Sequence, residues 1–181
     1  MQWEFSILYA LQEIHAPWLD AVMTFITTLG NSAVYNIWII AGVVFLCFKK
    51  TRRMGLQLLI SMLCTFLIGN LGIKELVARV RPCDIDPSVA LLIPHPGEWS
   101  FPSGHSMNSL SAALGIYFNN KKIGIPAIIL AVLIGFSRLY HFVHFPTDIL
   151  GGFAFAIIIA FLVNLVFKLV TKKIQAKKQT A

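Results

Sequence analysis

A chain of 181 residues that is 57% hydrophobic and 13% charged, with a mean hydropathy of +0.74, has too little polar surface for an ordinary water-soluble domain. Its length fits a single domain, residues 1–181. The formal charge of +7 raises nucleic-acid binding, but the cations lie in short clusters between apolar runs, a placement that better fits the cytoplasmic excess of Lys and Arg in membrane proteins.

The opening residues do not resemble a cleaved signal peptide, because a basic n-region is missing and Glu4 and Glu13 bracket the first apolar patch. Residues 3–15 are amphipathic and too short to span, so a helix lying at the interface is expected. Pro17 breaks the chain, and Trp18, Leu19, Val22, Phe25, Ile26 and Leu29 then recur at helical spacing. Asp20 and the short length argue against an independent span, so 1–31 reads as interfacial helices packed on a bundle formed by 33–170. The first span runs over 33–48 and ends at the basic cluster Lys49-Lys50-Thr51-Arg52-Arg53. The second covers about 54–77. Residues 82–100 form a polar loop whose Pro82, Pro87, Pro94, Pro96 and Gly97 discourage regular structure. Further spans follow at about 103–118, 123–139 and 148–167, and 171–181 is a basic tail. The fold class is therefore all-α, a polytopic membrane helical bundle of about five long spans plus short amphipathic N-terminal helices.

Of the 15 Lys and Arg, 11 fall in the 49–53 loop, the 121–122 turn and the tail beginning at Lys168. These places alternate onto one side of the bundle, which the positive-inside rule makes cytoplasmic, the C-terminus included. Lys74, Arg79, Arg81 and Arg138 lie on the opposite side, in a multi-pass protein of the cell membrane.

Three segments carry chemistry. In Lys74-Glu-Leu-Val-Ala-Arg-Val-Arg81-Pro82, a continuous helix stacks Lys74 and Arg81 two turns apart on nearly one face, and Pro82 ends it. Snorkelling of both cations to water is the plain alternative. In Pro102-Ser103-Gly104-His105, Ser103 suits an N-cap and Gly104 allows close backbone approach, so the helix start is a natural anion site. A plain capping motif looks much the same. In Ser137-Arg138-Leu-Tyr-His-Phe-Val-His144-Phe-Pro-Thr-Asp148, His144 and Asp148 are one helical turn apart. The carboxylate can bond one ring nitrogen and leave the other free and more basic. Ionisable residues at a membrane boundary are costly and usually functional.

The pattern Lys-x6-Arg-Pro, Pro-Ser-Gly-His and Ser-Arg-x5-His-x3-Asp resembles the type-2 phosphatidic acid phosphatases, which share their phosphate site with the vanadium haloperoxidases. All three parts match in order and spacing and bracket about 40% of the chain. The resemblance implies an integral membrane, metal-independent lipid phosphatase. Lys74, Arg81 and Arg138 would bind phosphate oxygens, with Ser103 and Gly104 completing the cradle. His144 would be the nucleophile that becomes a phosphohistidine, Asp148 would orient it, and His105 would be the general acid and then the base. Phe142 departs from the glycine many relatives carry and should narrow the loop near His144. The N-terminus is also shorter than in relatives that begin with an additional full span.

The leading substrate is a polyprenyl (undecaprenyl) diphosphate, since an extracytoplasmic site suits recycling of a lipid carrier. Phosphatidylglycerophosphate and phosphatidate are the alternatives. A vanadate-dependent peroxidase and a non-enzymatic lipid-binding or transport protein are competing readings, disfavoured by the spans and by the complete set of catalytic groups. The partners expected are the lipid substrate and the bilayer, with no nucleic acid, obligate protein partner, cofactor or metal. The few carboxylates are scattered, and the cysteines Cys47, Cys64 and Cys83 show no metal-ligand spacing. His15 and His95 read as surface or interfacial, His141 as a loop or interface residue, and Arg79 as a headgroup contact. Glu75 reads as a local partner of Lys74, and Glu98 and Trp99 as lining a substrate entrance.

Overall fold

The structure is a computed structural model that describes residues 2–30 and 32–179. Met1, Asn31 and the last two residues of the expected tail, Thr180 and Ala181, lie outside the described residues, as do the side chains of 32–36 and 178. The described chain is helical: α1 (Gln2–Glu13), α2 (Pro17–Thr28), α3 (Ser32–Cys47), α4 (Arg52–Thr65), a π-helical stretch (Phe66–Ile73), the one-turn α5 (Lys74–Val77) and α6 (Pro82–Ile85), α7 (Gly104–Tyr117), α8 (Lys121–Tyr140) and α9 (Pro146–Gln179).

Three of these stretches are long and apolar enough to cross a membrane: Arg52–Ile85, Lys121–Tyr140 and Pro146–Lys177; Ile37–Cys47 is a shorter apolar helix. The expected span at 103–118 takes a different form. With 14 residues, α7 is about 21 Å long at 1.5 Å per residue, less than the ~30 Å hydrocarbon core. It is wrapped by α4, α8 and α9, and Met107, Ala112 and Ala113 on its sides are fully buried. A helix enclosed on all faces needs no apolar stripe, and its run of Ser, Ala and Gly lets backbones approach closely. On the outer faces of α8 and α9, large apolar side chains such as Ile129, Ile157 and Phe161 are more than half exposed, as a lipid-facing belt requires.

Buried polar groups tie the core together. The Thr65 hydroxyl donates to Asn108 Oδ1 at 2.7 Å. Near the opposite end of the bundle, Gln57 Nε2 donates to Asn164 Oδ1 at 3.0 Å and Asn119 Nδ2 donates to Gln57 Oε1. Unpaired, each such group costs about 1–3 kcal/mol. The N-cap of α8 is Asn120, whose side chain accepts from the backbone N–H groups of Lys122 and Ile123.

The helix of the first motif does not run on to Arg81. The π-helical stretch underwinds the chain just before Lys74, α5 stops at Val77, and Ala78 adopts the left-handed region at φ 45° and ψ 44°. Pro82 opens α6 at its first turn instead of closing a longer helix. Lys74 and Arg81 therefore do not share a helical face, and another route brings them together. At the other end, α9 continues to Gln179, well past the expected end of the span at 167.

The seam between α4 and α7 is close-packed. A Cβ on Gly115 would lie 2.7 Å from the Leu58 Cα. Gly115→Leu is expected to cost at least the ~1–3 kcal/mol of an overpacked core and to lower the unfolding temperature in detergent. An unchanged midpoint would contradict this packing.

Candidate active site

The site forms where the C-terminal ends of the α4–α5 stretch and α8 meet the N-terminal ends of α7 and α9. A cavity of about 310 Å³ there is lined by Lys74, Arg81, Gly104, His105, Arg138 and His144, with Ile93, Pro94, Pro96, Gly97 and Glu98 closing it from the loop. All three motifs thus converge on one hollow. Ser103 lies directly behind it, caps α7 by accepting from the Ser106 N–H at 3.5 Å, and donates its own backbone N–H to the Asp148 carbonyl at 3.1 Å.

His144 is 1% exposed and Asp148 fully buried. His144 Nδ1 faces Asp148 Oδ2 at 3.5 Å. Arg81 Nη1 lies 3.0 Å from His144 Nε2, and a guanidinium can only donate. Nε2 is therefore the acceptor, and the ring proton sits on Nδ1, towards the carboxylate. Burial, then the charges of Arg81, Arg138 and Lys74, push this imidazole well below its ordinary pKa. The ring is neutral, with its Nε2 lone pair turned to Arg81 on the cavity side.

The Asp148 carboxylate is a hub. Its Oδ2 accepts from the Ser100 hydroxyl at 2.5 Å and from the Phe145 N–H at 2.8 Å, and its Oδ1 accepts from Arg79 Nη1 at 2.6 Å. Arg79 also donates to the Thr147 hydroxyl at 2.6 Å and to Glu4 Oε2 at 2.8 Å, with its guanidinium 4.2 Å over the Phe145 ring. The Thr147 hydroxyl in turn donates to Glu4 Oε1 at 2.6 Å. Arg79, read from sequence as a headgroup contact, is instead bonded to the carboxylate behind His144.

The cation cradle is equally specific. Lys74 and Arg81 are each 3% exposed and Arg138 is 2% exposed. Arg81 is fixed by donating to the backbone carbonyls of Glu98 at 2.6 Å, Val143 at 2.8 Å and Trp99 at 3.2 Å. The Ser100 N–H donates to the Arg79 carbonyl at 2.7 Å, which holds the segment after Ala78 against the loop. Lys74 Nζ meets Glu98 Oε2 at 2.5 Å, and this hydrogen bond holds the Glu98 carboxyl below its usual range. The local Lys74–Glu75 pair expected from sequence is displaced, for Glu75 accepts from the Trp99 indole at 3.2 Å.

The N-terminal helices supply parts that their amphipathic pattern did not announce. Besides Glu4 on α1, Thr27 on α2 accepts from Arg138 Nη1 at 2.7 Å. A Cβ at Gly30 would lie 2.7 Å from the His105 ring, so only glycine leaves that ring its place. Phe142 has φ 57°, a conformation open to glycine and costly for an aromatic residue. Its side chain does not narrow the cavity; it is buried against Phe5 and Tyr9 of α1, with centroids at 6.1 and 5.6 Å. His141 is buried edge-on to Tyr140 and does not line the cavity. His15 stacks on Tyr140 at 4.2 Å.

Comparison with known proteins identifies the family. Over 163 residues the chain is 40% identical to phosphatidylglycerophosphatase B of Bacillus subtilis, covering 83% of this chain and 76% of that protein. It is 34% identical over 145 residues to undecaprenyl-diphosphatase of Sulfolobus acidocaldarius, covering 80% and 68%. The fold matches the crystal structure of the first transmembrane PAP2 type phosphatidylglycerolphosphate phosphatase from Bacillus subtilis, with a TM-score of 0.78 and 36% identity over 92% of this chain and 85% of that one. With its sequence signature matched across residues 54–172, this chain belongs to the PAP2 superfamily.

Proposed function

We propose that the chain is a membrane lipid phosphatase that works through a phosphohistidine. The observation that carries this reading is the convergence of two imidazoles and three buried cations on one cavity. Among the described residues lining the cavity the one carboxylate is the largely exposed Glu98, and such an excess of buried positive charge favours an entering anion. A phosphoryl group supplies that anion, and in its transfer state the charge spreads over the oxygens that Lys74, Arg81 and Arg138 would bind. Ser103 and Gly104 add the start of α7 to the cradle.

In the first step, the His144 Nε2 lone pair forms a bond to phosphorus as the bond from phosphorus to the leaving oxygen breaks. His105 gives that oxygen a proton. In the second, water attacks phosphorus, the N–P bond breaks, and His105 takes the proton of the water. Asp148 holds the Nδ1 proton of His144 in place throughout. Arg79, Glu4 and Thr147 act one step further back, by fixing Asp148.

The substrate is a lipid phosphate or diphosphate. The leading candidate is a polyprenyl diphosphate and the alternative phosphatidylglycerophosphate or phosphatidate; the names of relatives on both sides support the class. A second, apolar hollow of about 430 Å³ lined by Ile39, Leu59, Met62, Leu63, Phe66 and Asn108 lies one turn of α7 beyond His105 and suits a lipid tail. We read α3, the α4–α5 stretch, α7, α8 and α9 as five crossings. The basic turns at 49–53 and 121–122 and the tail then face the cytoplasm, and the cavity opens on the extracytoplasmic side.

Purified protein is expected to release phosphate from one of these lipids, and a panel of prenyl diphosphates, phosphatidylglycerophosphate and phosphatidate identifies which. His144→Ala is expected to abolish release and His105→Ala to lower it about 100- to 10,000-fold, whereas EDTA leaves turnover in place; release by His144→Ala, or undiminished turnover by His105→Ala, overturns the assigned roles. Because protonation silences His144 and its pKa is depressed, the acid limb of kcat/KM should lie below the ordinary imidazole value of about 6.5. A limb at or above that value contradicts a buried neutral nucleophile. Arg79→Ala and Glu4→Gln are expected to lower kcat by ~10- to 100-fold, the weight of one charge-assisted hydrogen bond, with KM unchanged. A rise in KM alone would return Arg79 to a headgroup contact.

A further inference from the structure

Outside the cavity, three side chains with different donor atoms meet. Cys83 and Asp84 stand on the one-turn helix α6, and His95 comes back from the far side of the 86–103 loop. Their ligand atoms all lie within 4.8 Å of one another, and they form the one such cluster among the described residues. His95 Nε2 is 3.7 Å from the Cys83 sulfur and 2.7 Å from Asp84 Oδ1. The thiol is buried, at 5% exposure, while the histidine and aspartate side chains are 54% and 39% exposed. The trio is thus reached from water through its two outer members.

We propose that Cys83, Asp84 and His95 form a binding site for a zinc-type divalent cation that staples the loop over the active-site mouth. Thiolate, imidazole and carboxylate together are the donor set of zinc, whose bonds to sulfur and nitrogen are about 2.3 and 2.0–2.1 Å. Tetrahedral angles at those lengths separate sulfur from nitrogen by about 3.6 Å, against 3.7 Å here. Nitrogen and oxygen would stand about 3.3 Å apart, so the exposed Asp84 carboxylate swings outward by about 0.6 Å from its 2.7 Å hydrogen bond. On binding, the Cys83 thiol gives up its proton to solvent and the imidazole binds as the neutral ring. Water takes the fourth position.

The position gives the staple a consequence. Pro94 and Pro96, the neighbours of His95, line the cavity together with Glu98, and Arg81 holds the same loop through the Glu98 and Trp99 carbonyls. Closing the chain between α6 and His95 anchors the wall at its second edge. The cation supplies no chemistry to phosphoryl transfer; it sets how freely the loop moves.

Cobalt(II) reports such a site directly, because a bound thiolate gives a sulfur-to-metal charge-transfer band. Titration of the full-length protein in detergent with cobalt(II) is expected to give that band at one equivalent, and zinc should bleach it. Cys83→Ser should remove the band, while the paired change Cys47→Ser with Cys64→Ser should leave it. His95→Ala and Asp84→Asn should each weaken binding by more than the ~10-fold that loss of an outer partner costs. Zinc should also slow amide exchange across residues 86–99 in the wild type and not in Cys83→Ser. No band, a band that survives Cys83→Ser, or unchanged exchange in this loop overturns the proposal. Because these readouts need no substrate, they stand or fall independently of the phosphatase reading.

Discussion

One fully buried carboxylate organises the reactive end of this molecule. Asp148 carries a charge where water cannot reach it, and such a charge persists only if protein groups replace its hydration. Four do so from three segments: the Ser100 hydroxyl from the loop, the Arg79 guanidinium from the segment after α5, and the Phe145 amide with the Nδ1 side of the His144 ring from the turn before α9. Each partner is itself fixed by something else. Arg79 is held by Glu4 of α1, and Ser100 is bonded through its backbone to the Arg79 carbonyl. Satisfying this one group therefore docks the N-terminal helix, closes the long loop and selects the tautomer of the adjoining imidazole.

The cavity has the opposite balance. Three cations are buried around it, and the single carboxylate on its wall, Glu98, is drawn onto Lys74. Its side chain is 68% exposed, so it can leave when a better anion arrives, whereas Arg81 is held by backbone carbonyls and Arg138 by Thr27. Fixed positive groups around a hollow with an exchangeable negative one describe a receptor for an oxyanion that must enter, react and depart. The apolar exterior of α8 and α9 holds that receptor in a bilayer, where the tail of a lipid substrate need not leave its own solvent.

Much of this was legible in the residues because motif spacing encodes chemistry directly. Lys74, Arg81, His105, Arg138, His144 and Asp148 announce themselves as ionisable groups at the ends of apolar runs, and the fold brings all of them to one place. The path between them was not legible. A separation of seven positions from Lys74 to Arg81 suits a helical face, but Ala78 turns left-handed and the loop captures the chain. The bracing by α1 and α2 is likewise invisible to periodicity, since Glu4 reads as the polar side of an amphipathic helix until Arg79 meets it. Gly30 and Thr27 carry no pattern at all. Phe142 was misread: expected to narrow the loop near His144, it sits at a positive-φ backbone position and packs its ring on α1 instead. Cys83 and His95, 12 residues apart, escape spacing rules because only the irregular loop decides that they meet.

Membership of the PAP2 superfamily and a cavity built around two imidazoles support one proposal above the rest, that His144 is the residue that bonds to phosphorus. Orthovanadate tests it most directly, because it adopts the five-coordinate geometry of the transfer state. A structure of the protein with vanadate should show the metal bonded to His144 Nε2, its equatorial oxygens within hydrogen-bond distance of Lys74, Arg81 and Arg138, and the apical oxygen facing His105. Vanadate bonded to His105, or bound away from the three cations, would contradict the account.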